Sequence, residues 1–252
     1  MQAVILAGGF GTRLGHLVKE IPKPMLPING RPFLECLVLL LVRSGIRDFV
    51  ICTGYLAEQI ETHFGDGTAW NARIQYSVET TPLGTGGAIK KAASLLQETF
   101  LLINGDNYLP LDYSGFFRTF RDSGQFNGRP LNWDCSRPVG LLSCWKNNSA
   151  RFRNNLNLSD DGRAVAAYDY RNSQGKTHID CGVKMFSREL LRFFDDRETF
   201  SLEEAVMPEL ARERLLAAYP ASQPPYDIGT PEELSRTRQE LQKLLPALHA
   251  RV

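Results

Sequence analysis

Glycine, threonine and arginine residues near the start of the chain have the types and spacing of a phosphate-binding loop. The segment Gly8-Gly9-Phe10-Gly11-Thr12-Arg13 follows a short apolar run that predicts a buried strand. Glycines let the backbone turn sharply and approach a ligand, and the N–H groups of such a turn bind phosphate oxygens. Because Thr12 and Arg13 add a hydroxyl and a fixed positive charge, the loop predicts a site for a polyphosphate.

Two familiar glycine-rich loops do not match this segment. A P-loop requires a Gly-Lys-Ser/Thr ending, whereas Arg13-Leu14 stands here. A Rossmann fingerprint requires a third glycine where this chain has Leu14. Taken alone, the segment is therefore also compatible with a purely structural turn.

Two further charged residues could serve a bound polyphosphate. Lys23 lies between Pro22 and Pro24, so it is expected on a stiff, non-helical segment. Asp106 follows the apolar run 100–103, and open α/β sheets bind ligands just past the carboxyl ends of their strands. A carboxylate there could hold Mg²⁺ that bridges phosphates. The alternatives are a surface lysine and an ordinary turn aspartate.

Alternating strands and helices must position these residues. Apolar runs predict strands at 48–53, 73–78, 100–103, 139–145, 164–168 and 214–219. Helices are predicted at 33–44, 56–64 and 90–96, the last after a second glycine cluster at 84–87. Ser201 with Glu204, and Thr230 with Pro231, predict two capped helix starts. This alternation implies crossover connections and a largely parallel sheet.

Composition restricts the classes of partner. The 252 residues are 43% apolar with a net charge of +1, which gives no field for nucleic acid or an anionic membrane. The five cysteines form no C-x-x-C pair and the first strand begins almost at Met1, so a cytoplasmic protein with reduced thiols and no signal peptide is expected. The irregular stretch 123–137 predicts a long excursion, either a lid or an oligomer contact.

The glycine loop together with Pro22-Lys23-Pro24-Met25 resembles the signature of the sugar-1-phosphate nucleotidyltransferases. Later segments are most similar to the heptose-1-phosphate guanylyltransferases of that family. The resemblance implies an α/β fold with a Rossmann-like mixed, mostly parallel sheet flanked by helices and a smaller sugar-binding part. It implies one domain over 1–252, with a nucleotide-binding half at 1–122 and a sugar-binding half at 123–252 whose chain returns to the metal site.

The resemblance also implies roles for particular residues. Arg13 would bind the leaving pyrophosphate, and Lys23 would bind the α-phosphate. Asp106 and Asp227 would hold Mg²⁺, and Asp227 lies in an Asp-Ile-Gly-Thr-Pro-Glu segment. The residues implied to bind the nucleotide are Leu6, Ala7, Gly8, Gly9, Gly11, Thr12, Arg13, Glu79, Pro82, Gly84 and Thr85.

The sugar-binding segments depart from the family pattern. Where many members carry Glu-Lys-Pro, this chain has Asp169-Tyr170-Arg171-Asn172, so Arg171 is a candidate for the sugar phosphate. Family members also carry a sugar-binding strand with the pattern Asn-x-Gly-x-Tyr/Phe. In this chain Asp180 stands in place of the asparagine, Gly182 matches the glycine, and Lys184 stands in place of the aromatic residue. The candidates for sugar recognition are therefore Arg171, Asp180, Gly182 and Lys184.

The implied reaction is NTP plus sugar 1-phosphate giving NDP-sugar and pyrophosphate, with GTP and a heptose 1-phosphate favoured for surface-polysaccharide precursors. Other bases (UTP, CTP, dTTP, ATP) and other sugars (mannose, glucose) remain alternatives. A glycosyltransferase would need no pyrophosphate grip, and a non-catalytic nucleotide sensor would not need both aspartates. The expected partners are the two substrates and a possible second copy of the chain, with neither nucleic acid nor membrane.

Overall fold

The computed structural model describes residues 1–122, 138–149 and 151–249, with the backbone of 125–126 and 129–130 and with side chains up to residue 243. Its strands are β1 (Gln2–Leu6), β2 (Pro27–Ile28), β3 (Arg31–Pro32), β4 (Asp48–Thr53), β5 (Arg73–Val78), β6 (Thr99–Asn104), β7 (Asn107–Tyr108), β8 (Gln125–Phe126), β9 (Arg129–Pro130), β10 (Gly140–Lys146), β11 (Leu156–Leu158), β12 (Val165–Tyr168), β13 (His178–Ser187), β14 (Leu216–Pro220) and β15 (Tyr226–Asp227). Its α-helices are α1 (Phe33–Arg43), α2 (Ala57–Phe64), α3 (Gly84–Lys91), α4 (Tyr113–Arg121), α5 (Leu202–Ala205), α6 (Met207–Arg212) and α7 (Pro231–His249). The predicted α/β class is confirmed.

The chain divides into two compact units. The first comprises residues 1–82, 103–110 and 225–252, and the second comprises 83–102 and 111–224. This division differs from the expected halves at 1–122 and 123–252, because the second unit already begins at Leu83 and the chain re-enters the first unit twice. The family resemblance implies one return of the chain, to the metal site. The re-entry at 103–110 depends on long-range packing, which local sequence patterns do not report.

In the first unit, β1, β4 and β5 form a parallel ladder. Strand β4 pairs with β1 from Gln2↔Asp48 to Leu6↔Cys52, and with β5 from Asp48↔Arg73 to Thr53↔Val78. Parallel strands end at the same edge of a sheet. The segments that follow them therefore meet there: the glycine loop after β1, Gly54 after β4 and Glu79 after β5.

A buried cluster beside this sheet supports the loop region of the first unit. Helix α1 is apolar on nearly all sides, and Phe33 and Cys36 belong to the cluster. Tyr108 and Ile228 contribute from segments flanking the two aspartates. Helix α7 begins as predicted, since the Thr230 hydroxyl accepts the N–H of Glu233 at 3.2 Å and Pro231 is its first residue.

In the second unit, β10 is paired on both sides. It runs antiparallel to β13, from Gly140↔Phe186 to Lys146↔His178, and parallel to β14, from Gly140↔Leu216 to Cys144↔Pro220. Strand β11 pairs antiparallel with β12 and, through Leu156↔His178, with β13. The predicted Ser201 cap of α5 is confirmed, because its hydroxyl accepts the N–H of Glu204 at 3.3 Å.

The second glycine cluster does not precede a helix at 90–96, as the sequence predicted, but lies inside α3. Gly84 has φ +71°, and a Cβ atom there would lie 2.5 Å from the carbonyl oxygen of Phe200. At Gly86, a Cβ atom would lie 2.1 Å from the Phe200 ring. The glycines are thus required for close packing against Phe200, and this contact between distant residues explains the wrong boundary.

Two further predictions concern the irregular segment 123–137 and the absence of a membrane partner. Of the expected excursion at 123–137, the structure describes only the antiparallel pair β8 and β9, so its role as a lid or oligomer contact lies outside the described residues. Among the described helices, none is long and apolar enough to cross a membrane.

Candidate active site

The glycine loop is fixed at its base by neighbouring strands. The N–H of Ala7 donates to the Cys52 carbonyl at 2.8 Å, and the Gly8 carbonyl accepts the N–H of Tyr55 at 3.3 Å. Gly11 has φ +64°, a left-handed conformation that favours glycine. The loop then enters a 3-10 turn at Thr12–Val18, whose first residues include Thr12 and Arg13.

Glu79 contacts the glycine loop. A Cβ atom added to Gly8 would lie 2.5 Å from Glu79 Oε1, and one added to Gly54 would lie 2.9 Å from the same oxygen. Real Cβ atoms do not approach so closely, so both glycines make room for the carboxylate. Three segments at the carboxyl edge of the parallel strands therefore converge, which brings the predicted nucleotide residues Leu6, Ala7, Gly8 and Glu79 together.

Lys23 is a buried cation on a short turn. It begins a 3-10 turn, Lys23–Met25, between Pro22 and Pro24, where the sequence predicted a non-helical segment. Its side chain is only 10% exposed, and its ammonium donates to Asp106 Oδ2. The alternative of a solvated surface lysine is therefore wrong. Gly11 lies beneath it, since a Cβ atom there would be 3.1 Å from Lys23 Cβ.

The two aspartates are brought together by a short antiparallel ladder. Asp227 pairs with Asn107, and Tyr226 with Tyr108, so that β15 lies beside β7. The Asp106 carbonyl accepts the N–H of Ile228 at 3.3 Å. The N–H of Gly105 in turn donates to the Leu6 carbonyl at 2.8 Å, which holds Asp106 beside the end of β1 and the glycine loop.

Asn107 lies between the carboxylates. With its amide nitrogen facing them, it donates to Asp106 Oδ1 at 3.0 Å and to Asp227 Oδ2 at 3.3 Å. Sequence reasoning missed this residue, although its position directly after Asp106 was a signal. On the other side, the N–H of Gly229 donates to Asp227 Oδ1. A Cβ atom on Gly229 would also lie 3.0 Å from Arg13 Nη2, so the Arg13 guanidinium reaches the same place.

The charges of this cluster are strongly interdependent. Burial raises the pKa of Asp227, and the nearby Asp106 carboxylate raises it further. Lys23, the N–H of Gly229 and Arg13 act in the opposite direction but do not cancel the rise in pKa. The site thus holds a buried negative charge that a further cation would stabilise.

The donor set suits a hard divalent cation. The described residues contain no group of three or more His, Cys, Asp or Glu side chains arranged to hold a metal ion. The protein would therefore supply the oxygens of Asp106 and Asp227, and phosphates and water the other ligands, as is usual for Mg²⁺.

The remaining predicted residues lie in other parts of the units. Pro82 is exposed at the end of the first unit. Gly84 and Thr85 begin α3 in the second unit, where the Thr85 hydroxyl donates to Glu203 Oε2 at 2.5 Å. The Arg171 guanidinium, 78% exposed, pairs with Glu204 at 2.6 Å. Its contact with a sugar phosphate stays a prediction.

The predicted sugar residues on β13 are buried. Lys184 is 1% exposed, and its ammonium lies 2.9 Å from Asp180 Oδ2 and 3.7 Å from Glu203 Oε1. Gly182 donates its N–H to Asp180 Oδ1 at 2.8 Å. Asp180 and Lys184 thus form an ion pair with each other. Sequence reasoning missed Glu203, because it had interpreted that residue only as part of a capped helix.

Comparison with known proteins agrees with this geometry. The family model described as nucleotidyl transferase matches residues 2–128. The D-glycero-alpha-D-manno-heptose 1-phosphate guanylyltransferase of Aneurinibacillus thermoaerophilus is 31% identical over 243 residues, which cover 96% of this chain and 99% of the relative. The enzyme of the same name from Campylobacter jejuni is 32% identical, covering 92% of this chain and 96% of the relative.

A solved structure extends the likeness to the fold. HddC from Yersinia pseudotuberculosis superimposes with a TM-score of 0.78 at 29% identity, covering 95% of this chain and 99% of HddC. HddC has also been solved in complex with GMP-PN. The glycine loop, the buried lysine and the paired aspartates thus occur in a chain that matches this family in sequence and fold, and the protein belongs to the nucleotidyl transferase family.

Proposed function

We propose that the protein transfers a guanylyl group from GTP to D-glycero-D-manno-heptose 1-phosphate, giving GDP-heptose and pyrophosphate. The observation that carries this proposal is the convergence of Lys23, Asp106, Asp227 and Arg13 beside the glycine loop of the first unit. Such an arrangement suits a reaction in which the protein positions two anions and offsets their charge. The relatives at 31% and 32% identity carry names that match this activity.

The chemistry requires no protein nucleophile. A phosphate oxygen of the sugar 1-phosphate attacks the α-phosphorus of GTP in line, and the bond from the α-phosphorus to the bridging oxygen breaks as pyrophosphate leaves. Lys23 stabilises charge on the α-phosphate, and Arg13 binds the pyrophosphate. The N–H groups of the glycine loop hold the phosphate chain.

Mg²⁺ is the metal we propose for the aspartate pair. Nucleotidyl transferases generally use a divalent metal. When bound, Mg²⁺ would supply positive charge that offsets the charge of the phosphates. Asp106 and Asp227 would hold it, and Asn107 orients both carboxylates through its amide group. Lys23 also contacts Asp106, so its ammonium offsets part of the charge of that carboxylate.

Guanine is favoured over adenine if Glu79 reads the base. Its carboxylate packs against Gly8 and Gly54, which leave the space that it fills beside the glycine loop. A carboxylate is an acceptor, and guanine presents the N1–H and N2–H₂ donors on its Watson–Crick edge, whereas adenine presents an acceptor at N1. The HddC complex with GMP-PN supports this assignment.

The sugar 1-phosphate is assigned to the second unit. Asp180 and Gly182 on β13 and the exposed Arg171 are the residues proposed to contact the sugar phosphate, and the predicted Lys184 is buried beside them. Gly84 and Thr85 stay predicted nucleotide residues. We also propose cytoplasmic synthesis of surface-polysaccharide precursors, and the four described cysteines are buried thiols, as is usual in that compartment. Assembly into a homo-oligomer stays a prediction.

A pyrophosphate-release screen tests the proposal. Five nucleoside triphosphates are crossed with heptose, mannose and glucose 1-phosphates in the presence of Mg²⁺. We expect saturable release with GTP and the heptose 1-phosphate. Saturation with a pyrimidine triphosphate but not with GTP would reject guanine as the base and leave the reaction class standing. If no pair of triphosphate and sugar 1-phosphate released pyrophosphate, the proposed function would be rejected.

A further inference from the structure

Strand β13 contains a bulge that brings two distant side chains together. On the neighbouring strand β10, Leu142 pairs with Lys184 and Cys144 pairs with Asp180. The three β13 residues between these pairs, 181–183, therefore lie opposite a single β10 residue, Ser143. Gly182, at the centre of this segment, has φ +79°, which favours glycine. In a regular strand, residues 180 and 184 would be separated by about 13 Å, at roughly 3.3 Å per residue.

The bulge allows a buried ion pair between these residues. Lys184 Nζ lies 2.9 Å from Asp180 Oδ2, and the two side chains are 1% and 5% exposed. The Tyr168 hydroxyl donates to the same Asp180 oxygen at 2.9 Å, while the N–H of Gly182 donates to the other at 2.8 Å. The conformation of the bulge and the position of the Asp180 carboxylate are therefore linked.

Glu203 is the second carboxylate near the Lys184 ammonium. Its Oε1 lies 3.7 Å from Lys184 Nζ and accepts no hydrogen bond from the described residues. Its Oε2 accepts the hydroxyls of Thr85 at 2.5 Å and Ser201 at 3.2 Å. Since the Thr85 oxygen also accepts the N–H of Leu202 at 2.8 Å, Glu203 is anchored to the starts of both α3 and α5.

The charges explain why the ammonium stays protonated. Burial lowers the pKa of Lys184, but the Asp180 and Glu203 carboxylates outweigh this effect and the pKa is raised. One cation between two carboxylates leaves a net negative charge in an interior environment. A buried ion pair is weak evidence for stability, because its desolvation costs about as much as its attraction gains.

We propose that Lys184 is a positioning residue for the sugar 1-phosphate, which acts by fastening the Gly182 bulge to α5 through Asp180 and Glu203. This proposal rests on the proposed function, in which the Asp180–Gly182 segment contacts the sugar. The ammonium itself is covered, so it sets the geometry of the residues around it and does not touch the substrate. Its loss alters recognition of the sugar 1-phosphate more than that of GTP.

The main test distinguishes the positioning role of the Lys184 side chain from the effect of leaving buried carboxylates without a cation. Lys184→Met alone leaves two uncompensated carboxylates and is expected to destabilise the fold, so it is combined with Asp180→Asn and Glu203→Gln. These substitutions keep the side-chain sizes and remove every charge, and buried ion pairs replaced in this way often retain stability. Because Asp180 is itself a proposed sugar contact, the reference for this variant is Asp180→Asn alone. We expect the triple variant to fold while its KM for the heptose 1-phosphate rises about tenfold or more above that of Asp180→Asn, with the GTP KM changed less than about threefold.

Lys184→Arg is the second variant. It keeps the positive charge, but its planar guanidinium cannot occupy the place of a compact ammonium. Its KM for the sugar 1-phosphate should also rise. The matched control is Lys146→Met, because Lys146 is an exposed lysine of the neighbouring strand and pairs with His178.

Failure of this inference is distinguishable from failure of the proposed function. The wild type is assayed first, and the sugar 1-phosphate that it turns over in the screen is used for all variants. An inactive wild type would overturn the function and the inference with it. A folded Lys184→Arg variant with wild-type KM for that sugar would overturn the inference alone, as would a folded triple variant with the KM of Asp180→Asn or equal changes in both KM values.

Discussion

The ammonium of Lys23 contacts Asp106 Oδ2 although the two residues are 83 positions apart in the sequence. The contact joins a residue on a proline-flanked turn to one that follows β6. Because only 10% of its side chain is exposed, the charge of Lys23 is screened less by solvent than that of a surface lysine. Lys23 thus neutralises part of the aspartate cluster that is proposed to bind metal.

Replacing Lys23 tests its proposed action on the α-phosphate. We expect Lys23→Ala to lower kcat about a hundredfold or more, with a smaller effect on the Kd for GTP, because the charge is needed most in the transition state. Lys23→Arg should restore the rate only in part. The exposed Lys19 provides the control, and Lys19→Ala should keep wild-type kcat. An unchanged kcat in Lys23→Ala would remove the residue from the catalytic site.

Replacing either aspartate tests the metal site. Asp106→Asn and Asp227→Asn should each lower kcat by orders of magnitude and reduce the dependence of the rate on Mg²⁺ concentration. The measurement is pyrophosphate release across a Mg²⁺ titration in EDTA-treated buffer. Asp66→Asn, which changes an exposed aspartate of the same unit, is the control. Wild-type turnover by either site variant without metal would exclude that residue as a ligand.

The raised pKa of Asp227 predicts a pH-dependent stability. A carboxyl group whose pKa is higher in the folded state contributes stability that is complete below its ordinary value of 3.8. That stability is lost as pH rises through the raised pKa. We therefore expect Asp227→Asn to be more stable than wild type at pH 7 in EDTA, with the difference shrinking toward pH 4.

Urea unfolding of both proteins at several pH values measures this difference. Added Mg²⁺ should stabilise the wild type more than Asp227→Asn, because binding to the folded state alone raises stability. A difference that grows toward low pH would contradict the assigned direction of the pKa shift.

The glycine loop offers a matched pair of substitutions. Gly11→Ala places a side chain at φ +64° and against Lys23 Cβ, so it should lower stability by about 1–2 kcal/mol. Gly9→Ala meets no atom within 4 Å and has no positive φ, so stability should change by no more than about 0.5 kcal/mol. Thermal unfolding of the two variants gives the comparison. Equal losses would show that the backbone conformation of Gly11 is not the constraint.

The local pattern of the sequence was sufficient for most elements. Strands β4 and β5 have the predicted bounds, and both predicted caps, Ser201 and Thr230, are present. The family signature also led to Lys23, Asp106 and Asp227, which the structure brings together. What the sequence could not show depends on contacts between distant residues, such as Phe200 against Gly86 or Glu203 beside Lys184. Neither hydrophobic periodicity nor spacing encodes such contacts.

The ladder between Asn107 and Asp227 has a consequence for biosynthesis. During translation, the glycine loop, Lys23 and Asp106 leave the ribosome long before Asp227 does. Pairing between segments so far apart is slow relative to local folding, because a long loop must close first. A nascent chain therefore carries one carboxylate of the pair without the other, and competence to bind the proposed metal is acquired only after Asp227 has emerged and paired with Asn107.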